Sequence, residues 1–229
     1  MKTAGIIGGL GPETTAEFYL QTILSAFKRN KKSRPPILIW NVPLEYQIEE
    51  DLLTKAEGEE RYLPYLIDAA KRLEAGRADF IVIPCNSVHI FIDQIRNSVN
   101  IPVLSIVEET SNFLKEKNIN KIGLLATLST IEKRLYQKPL ENLGIGVSLP
   151  NTLDQEKIGK LIQNLVLSRN DEEDKEELLG IIGNFENKVD DVVLACTDLQ
   201  LLKPVHKHIK LHDSMRILME ATVNTILKD

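Results

Sequence analysis

The sequence predicts an α/β protein of two pseudo-symmetric lobes, each a parallel sheet with helices on both faces (three layers, α/β/α), separated by a cleft. Three observations carry this expectation. Short apolar runs alternate with longer segments whose apolar residues recur with helical period, the pattern of repeated βα units. The stretch AGIIGGLGPETTAEFYLQTI opens the chain, and KIGLLATLSTIEKRLYQKPLENLGI restates strand, small-residue loop and helix about 118 positions later. FIVIPCNS, finally, has a counterpart in VVLACTDL at a displacement of 111. Two similar displacements from independent segments point to internal duplication, with one lobe at residues 1–112 together with 213–229 and the other at 113–212.

The elements follow in order. Thr3–Ile7 is an apolar run ending in glycines, hence a strand and a tight turn, and Pro12 suits the first turn of the helix that Thr14–Lys28 continues. Pro36–Val42 reads as the second strand, Glu59–Ala75 as an amphipathic helix and Ala78–Ile83 as the third strand, stopped at Pro84. Val103–Ile106 reads as a fourth strand and Ile106–Lys117 as the helix after it. In the second half, strands at Lys121–Leu125, Gly146–Leu149 and Asp190–Leu194 alternate with helices at Thr130–Leu143, Gln155–Ser168 and Lys175–Asn187. Ser214–Lys228 closes the chain as a helix positioned to return to the first sheet.

The bulk numbers exclude several classes. With 229 residues, 28 Lys plus Arg against 33 Asp plus Glu, and a net charge of −5, the chain offers no basic surface for nucleic acid or membrane. The start lacks the pattern of a signal peptide, and no apolar run approaches the ~20 residues of a membrane helix, so a cytoplasmic protein is expected. In a reducing compartment Cys85 and Cys196 are not a structural disulfide, and they lack the close spacing of redox or zinc sites. His89, His206, His208 and His212 form no ligand pattern, and His206 and His208 fall in a basic, solvated stretch.

Each cysteine stands at the end of a predicted strand and before a small polar stretch, where ligands bind in open parallel sheets. If the lobes face each other, the two thiols meet across one cleft. Opposed thiols suit a transfer of a proton from one face of a carbon to the other: one, as thiolate, removes it from Cα, and the other returns one from the opposite side. Free thiols titrate near pKa ~8.5, and the start of a following helix would help to ionise one of them. Asn86, Ser87 and Thr197 can donate hydrogen bonds to a carboxylate and to the enediolate formed as Cα loses its proton. The plainer alternative makes both cysteines small buried apolar residues. The glycines of GGLGP are out of register with the dinucleotide fingerprint GxGxxG, which leaves a substrate-closing loop or a simple tight turn.

These residues carry a family resemblance. PCNSVH resembles the PCNTAH signature, and ACTDLQ the GCTE signature, of the aspartate/glutamate racemase superfamily. GGLGPETTAEF is similar to the amino-terminal GGMGPxATAxF of its aspartate racemase branch, and ATLSTIEKRLY to its ATxGT segment. The resemblance runs over essentially the whole chain. It implies a homodimer and racemisation of a small amino acid without pyridoxal phosphate or metal, hence no cofactor. It also implies Cys85 and Cys196 as acid/base groups, Asn86, Ser87, Thr127, Thr130 and Thr197 holding the substrate's carboxylate and ammonium, and the loop at Leu10 closing over it.

The chain departs from that pattern at both expected side-chain cations. Ile48, in NVPLEYQIEED, stands where an arginine of the branch falls, and Glu172 where a lysine does; Arg169 or Lys175 could substitute if the turn is shifted. A desolvated carboxylate without a partner costs several kcal/mol, enough to reverse a preference for aspartate. Glu45, Glu49, Glu50 or Asp51 near the cleft would favour neutral or basic side chains instead; otherwise these acids lie on a solvated face. Ala195 and Asp198 replace Gly and Glu of GCTE, and Leu218 stands where relatives often have His. The expected activity is an amino-acid racemase. The alternatives are a racemase for neutral or basic amino acids, a related carbanion or thiol-adduct reaction in the same cleft, and a non-catalytic amino-acid-binding homologue.

Overall fold

The computed structural model describes residues 1–45, 47–48, 51 and 58–228. The chain divides into two compact units, Met1–Glu109 with Met215–Asp229, and Thr110–Ser214.

In the first unit, β1 (Ala4–Gly8) is followed by α1 (Pro12–Arg29), β2 (Ile37–Asn41), a 3₁₀ turn at Glu59–Tyr62, α2 (Leu63–Ala75) and β3 (Phe80–Val82). A second 3₁₀ turn at Ser87–Phe91 leads into α3 (Ile92–Arg96), and α4 (Ile106–Glu116) crosses the divide between the units. The strands form a parallel sheet in the order β2-β1-β3, with Ala4 beside both Ile37 and Phe80. Every residue of β1 and β3 is buried, which requires cover on both faces and explains their unbroken apolar runs. The helix Ser214–Leu227 completes this unit. The Lys2 N–H donates to Ile226 O at 2.9 Å, and Arg29 reaches Asn224 Oδ1 at 2.6 Å.

In the second unit β4 (Lys121–Leu125), α5 (Leu128–Glu132), α6 (Gln137–Asn142), β5 (Gly146–Ser148), α7 (Thr152–Val166), α8 (Glu172–Gly183), β6 (Asp191–Leu194) and β7 (Lys210–Asp213) follow in turn, with a 3₁₀ turn at Leu199–Leu202. The sheet is parallel in the order β5-β4-β6-β7. The first unit has the same order if Val103, bridged in parallel to Ile81, is counted as its fourth position. The fold is thus α/β with two parallel sheets of matching topology.

Four expectations are corrected. Val103–Ile106 is no strand beyond that one bridge: Pro102 has no N–H to give, and Ser105 accepts from the Glu108 N–H, so α4 begins at once. Thr130–Leu143 is two helices, because in a continuous one Pro139 would clash with the Leu135 carbonyl; the chain breaks at Arg134, with φ 54°. Glu59–Ala75 starts as a 3₁₀ turn and becomes α-helical where Pro64 takes an early helical position. The strand β7, sequence KLHD, adds a strand to those expected. His206 and His208 do lie in the loop before it, half-buried and exposed.

Among the described residues, no helix is long and apolar enough to cross a membrane.

Candidate functional site

Cys85 lies three residues past β3, at the carboxyl edge of the first sheet, and is half-buried. Its backbone is held on both sides. Its N–H donates to Ile83 O at 2.9 Å across Pro84, and its carbonyl accepts a 2.7 Å hydrogen bond from His89 Nδ1. The other ring nitrogen, Nε2, accepts from the Ile106 N–H at 3.2 Å, so the proton sits on Nδ1 and the ring also caps α4. His89 is 1 % exposed. Burial drives its pKa down to about 4, helped by the Arg96 cation and opposed by its bond to Cys85 and by Glu108. Arg96 in turn grips both Glu108 carboxylate oxygens at 2.7 Å and the Val103 carbonyl at 3.0 Å, tying α3 to the start of α4.

The Cys85 Sγ lies 3.6 Å from Ser87 Oγ, and Ser87 is half-buried. Asn86 is buried at 3 % exposure.

In the second unit Cys196 occupies the equivalent station, two residues past β6, and is 6 % exposed. Its thiol donates to Asp198 Oδ2 at 3.6 Å. The Cys196 carbonyl accepts from the Leu199 N–H at 3.2 Å, and Thr197 is buried. Beside this turn, at the end of β4, Thr127 caps α5. Its hydroxyl accepts the Thr130 N–H at 3.3 Å and donates to Thr130 Oγ1 at 2.9 Å. Thr130 is fully buried in that exchange and Thr127 half-buried.

The expected help from the start of a following helix is a further correction. The elements that follow are single 3₁₀ turns, Ser87–Phe91 and Leu199–Leu202, and α3 has five residues, so no sizeable macrodipole is aimed at either sulfur along its own chain. Local hydrogen bonds set the thiols' environment instead.

The glycine loop folds tightly onto α1. Gly9, at φ +85°, holds a backbone conformation that strains other residues, and a Cβ there would displace the Asn41 amide, 2.7 Å away; its N–H donates to Thr15 Oγ1 at 3.0 Å. Leu10 is 8 % exposed and packs in the same apolar cluster as Ile48, Val42, Tyr62 and Leu66. Ile48 therefore stands in an apolar environment. Of the acids weighed beside it, Glu45 is exposed and faces the Tyr65 hydroxyl at 3.4 Å, while Asp51 holds Arg61 at 2.6 Å. Glu49 and Glu50 lie outside the described residues.

In the second unit Glu172 is exposed in the first turn of α8, behind the capping box of Asp171 and Asp174, where its charge favours the helix start. Arg169 is exposed and Lys175 half-buried. Leu218 is fully buried in the last helix.

Sequence reasoning missed two groups. His89 entered only as the last letter of a signature and as one of four histidines without a ligand pattern, although its spacing of four from Cys85 is the distance over which a side chain reaches back to a carbonyl. Arg61, the cation held by Asp51, lies beyond NVPLEYQIEED, the stretch in which the branch has its arginine. Among the described residues no cluster of three or more His, Cys, Asp or Glu could hold a metal ion.

Comparison with other proteins gives a family and a fold likeness. The family profile described as Asp/Glu/Hydantoin racemase matches residues 7–222. The broad specificity amino-acid racemase RacX of Bacillus subtilis (strain 168) is 29% identical over 234 residues, covering 97% of this chain and 97% of that protein. The structure of an aspartate racemase homologue from Pyrococcus horikoshii OT3 superposes with a TM-score of 0.81 at 27% identity over 100% of both chains. Picrophilus torridus aspartate racemase shares the fold, with a TM-score of 0.83 at 22% identity, over 100% of this chain and 96% of that one.

Proposed function

We propose that this chain, which belongs to the Asp/Glu/hydantoin racemase family, inverts the Cα of a free amino acid with Cys85 and Cys196 as a two-base pair. Membership makes it an isomerase of the racemase type; the residue roles and the substrate are our reading. In the proposed step one thiolate takes the Cα proton, and the C–H electron pair moves into the substrate carboxylate as an enediolate. The opposite thiol then delivers its proton to the other face. The product leaves with inverted configuration, and thiol and thiolate have exchanged places.

The observation that carries the reading is the repeated station: each thiol follows the third strand of its sheet at the carboxyl edge, with an oxygen-bearing side chain 3.6 Å away. Asn86, Ser87, Thr127, Thr130 and Thr197 would supply donors to the substrate's carboxylate and developing enediolate, or brace those that do, and Leu10 would close the site. No cofactor enters the step, so enzyme treated with hydroxylamine to strip pyridoxal phosphate should retain full activity.

For the substrate we infer a neutral or basic amino acid rather than a dicarboxylate. Ile48 lies in an apolar cluster and Glu172 is exposed in an acidic first turn, so neither offers a cation to a second carboxylate. Burying that carboxylate unpaired would cost several kcal/mol. The Bacillus subtilis relative is named for a broad specificity, which is compatible with a substrate other than a dicarboxylate. The reading includes a homodimer, favoured by the exposed Leu20, Leu24 and Phe27 of α1 and testable by sedimentation equilibrium, and a cytoplasmic setting that keeps both thiols reduced.

The test offers L-aspartate, L-glutamate, L-alanine, L-lysine and L-arginine in D₂O and follows the Cα proton by NMR. Exchange and inversion of neutral or basic substrates, lost in Cys85→Ser and Cys196→Ser, are expected. Selective exchange of aspartate would refute the specificity, and inversion surviving either serine variant would refute the mechanism.

A further inference from the structure

We infer that His89 is a positioning residue for Cys85: a neutral imidazole that fixes the cysteine turn against the first turn of α4. The inference rests on Cys85 being an acid/base group, and it adds a residue whose side chain touches neither thiol.

The side chain of Cys85 is aimed by its own backbone, and that backbone has two tethers. One is the short Cys85 N–H to Ile83 O bond, local to the turn. The other leaves the turn: His89 Nδ1–H binds the Cys85 carbonyl at 2.7 Å, while Nε2 takes the Ile106 N–H at 3.2 Å. A rigid ring therefore spans from the peptide of the thiol to the start of an eleven-residue helix. The ring has two wells in its environment, a carbonyl and an N–H, and only the neutral Nδ1–H tautomer satisfies both. A protonated ring would present a donor to the Ile106 N–H, and the other tautomer would present lone pair to carbonyl and hydrogen to hydrogen.

The second turn is built from different residues and has no ionisable ring at the matching place. The Cys196 carbonyl is bound by the Leu199 N–H, a backbone partner three residues on, and Gln200 occupies the place of His89. A tether needed merely to close such a turn could thus be made from backbone, and at Cys85 a buried, ionisable ring is used to couple the turn to another element.

Two variants separate the tethers. In His89→Asn the amide nitrogen falls near Nδ1 and retains a donor to Cys85, giving up Ile106. In His89→Gln the amide oxygen falls near Nε2 and retains an acceptor for Ile106, giving up Cys85. With the substrate that exchanges best in the wild type, kcat should fall at least tenfold in His89→Gln with KM changed less than threefold, and stay within about threefold in His89→Asn. The rate of Cys85 alkylation by iodoacetamide, measured with Cys196→Ser in the background, should change in the same order. Equal loss in both variants, or unchanged alkylation in His89→Gln, would overturn the role of His89. Absence of exchange in the wild type would sink the racemase reading and leave the alkylation comparison to decide the positioning. Should both variants fail to fold, ¹⁵N NMR of ring-labelled wild-type protein decides: the Nδ1–H tautomer sustains the inference and Nε2–H refutes it.

Discussion

The turn at Cys85 and the turn at Cys196 occupy one station in two sheets of the same strand order, yet their neighbours differ in kind. Two residues past Cys85 is a hydroxyl, Ser87; two residues past Cys196 is a carboxylate, Asp198; each stands 3.6 Å from its sulfur. A hydroxyl can donate to a thiolate or accept from a thiol, whereas an ionised carboxylate only accepts. In the proposed mechanism a carboxylate at Asp198 favours the proton on Cys196, whereas the Ser87 hydroxyl serves either form of Cys85. The two sheets keep one strand order while the side chains beside the sulfurs differ, and in the proposed mechanism that difference decides which thiol holds the proton at rest.

The largest break in this comparison is loss of a sulfur. Cys85→Ser and Cys196→Ser should each lower racemisation by at least ~10²–10⁴-fold, since a hydroxyl is a far weaker acid/base at neutral pH. Chiral chromatography of the product measures it.

Acid should next distinguish the turns through His89. Its pKa in the folded chain, about 4, lies below the ordinary 6.5, so the unfolded chain binds the extra proton and stability falls as pH drops. The contribution is complete above pH 6.5 and is lost progressively toward pH 4, on the order of 3 kcal/mol in all. The groups facing the ring, Arg96 and Glu108, are paired with each other across this window, Glu108 being held below its usual range by Arg96. Urea unfolding at stepped pH should show the stability gap between wild type and His89→Asn narrowing over this interval. A constant gap would exclude the buried neutral imidazole.

A smaller effect is expected from Asp198→Asn, which removes the charge that favours a protonated Cys196. The thiol should ionise more readily by about one pH unit, raising its alkylation rate at neutral pH about tenfold and leaving Cys85 unaffected. Ser87→Ala should act least. Losing one neutral hydrogen bond, worth ~1 kcal/mol at most in this half-buried setting, should change Cys85 alkylation by no more than about fivefold.

Much of the fold was legible because a buried parallel strand writes an unbroken apolar run: Lys121–Leu125 is a strand as expected, and Asp190–Leu194 is short by one residue. The edge strand Lys210–Asp213 was hidden since it carries a lysine, a histidine and an aspartate, and is buried only in part. His212 in that strand binds Asp191 Oδ1 at 2.6 Å, a pairing across 21 residues that periodicity does not express. The cysteines were legible as a repeated pattern. Their partners were not, because a tether from His89 to Ile106 depends on how a turn meets a helix, and the packing of Ile48 with Leu10 depends on which loops share a core.

The single 3₁₀ turns behind the sulfurs have one more consequence. Where a long helix points at a cysteine, its acidity is inherited from the whole element and resists small edits. In the proposed mechanism the second residue after each cysteine, 3.6 Å from the sulfur, sets its acidity locally and is the place to rewrite it. Exchanging the two side chains, Ser87→Asp together with Asp198→Ser, should move the idle enzyme's stored hydrogen to the opposite half and so invert which mirror-image substrate the unoccupied protein is poised to accept.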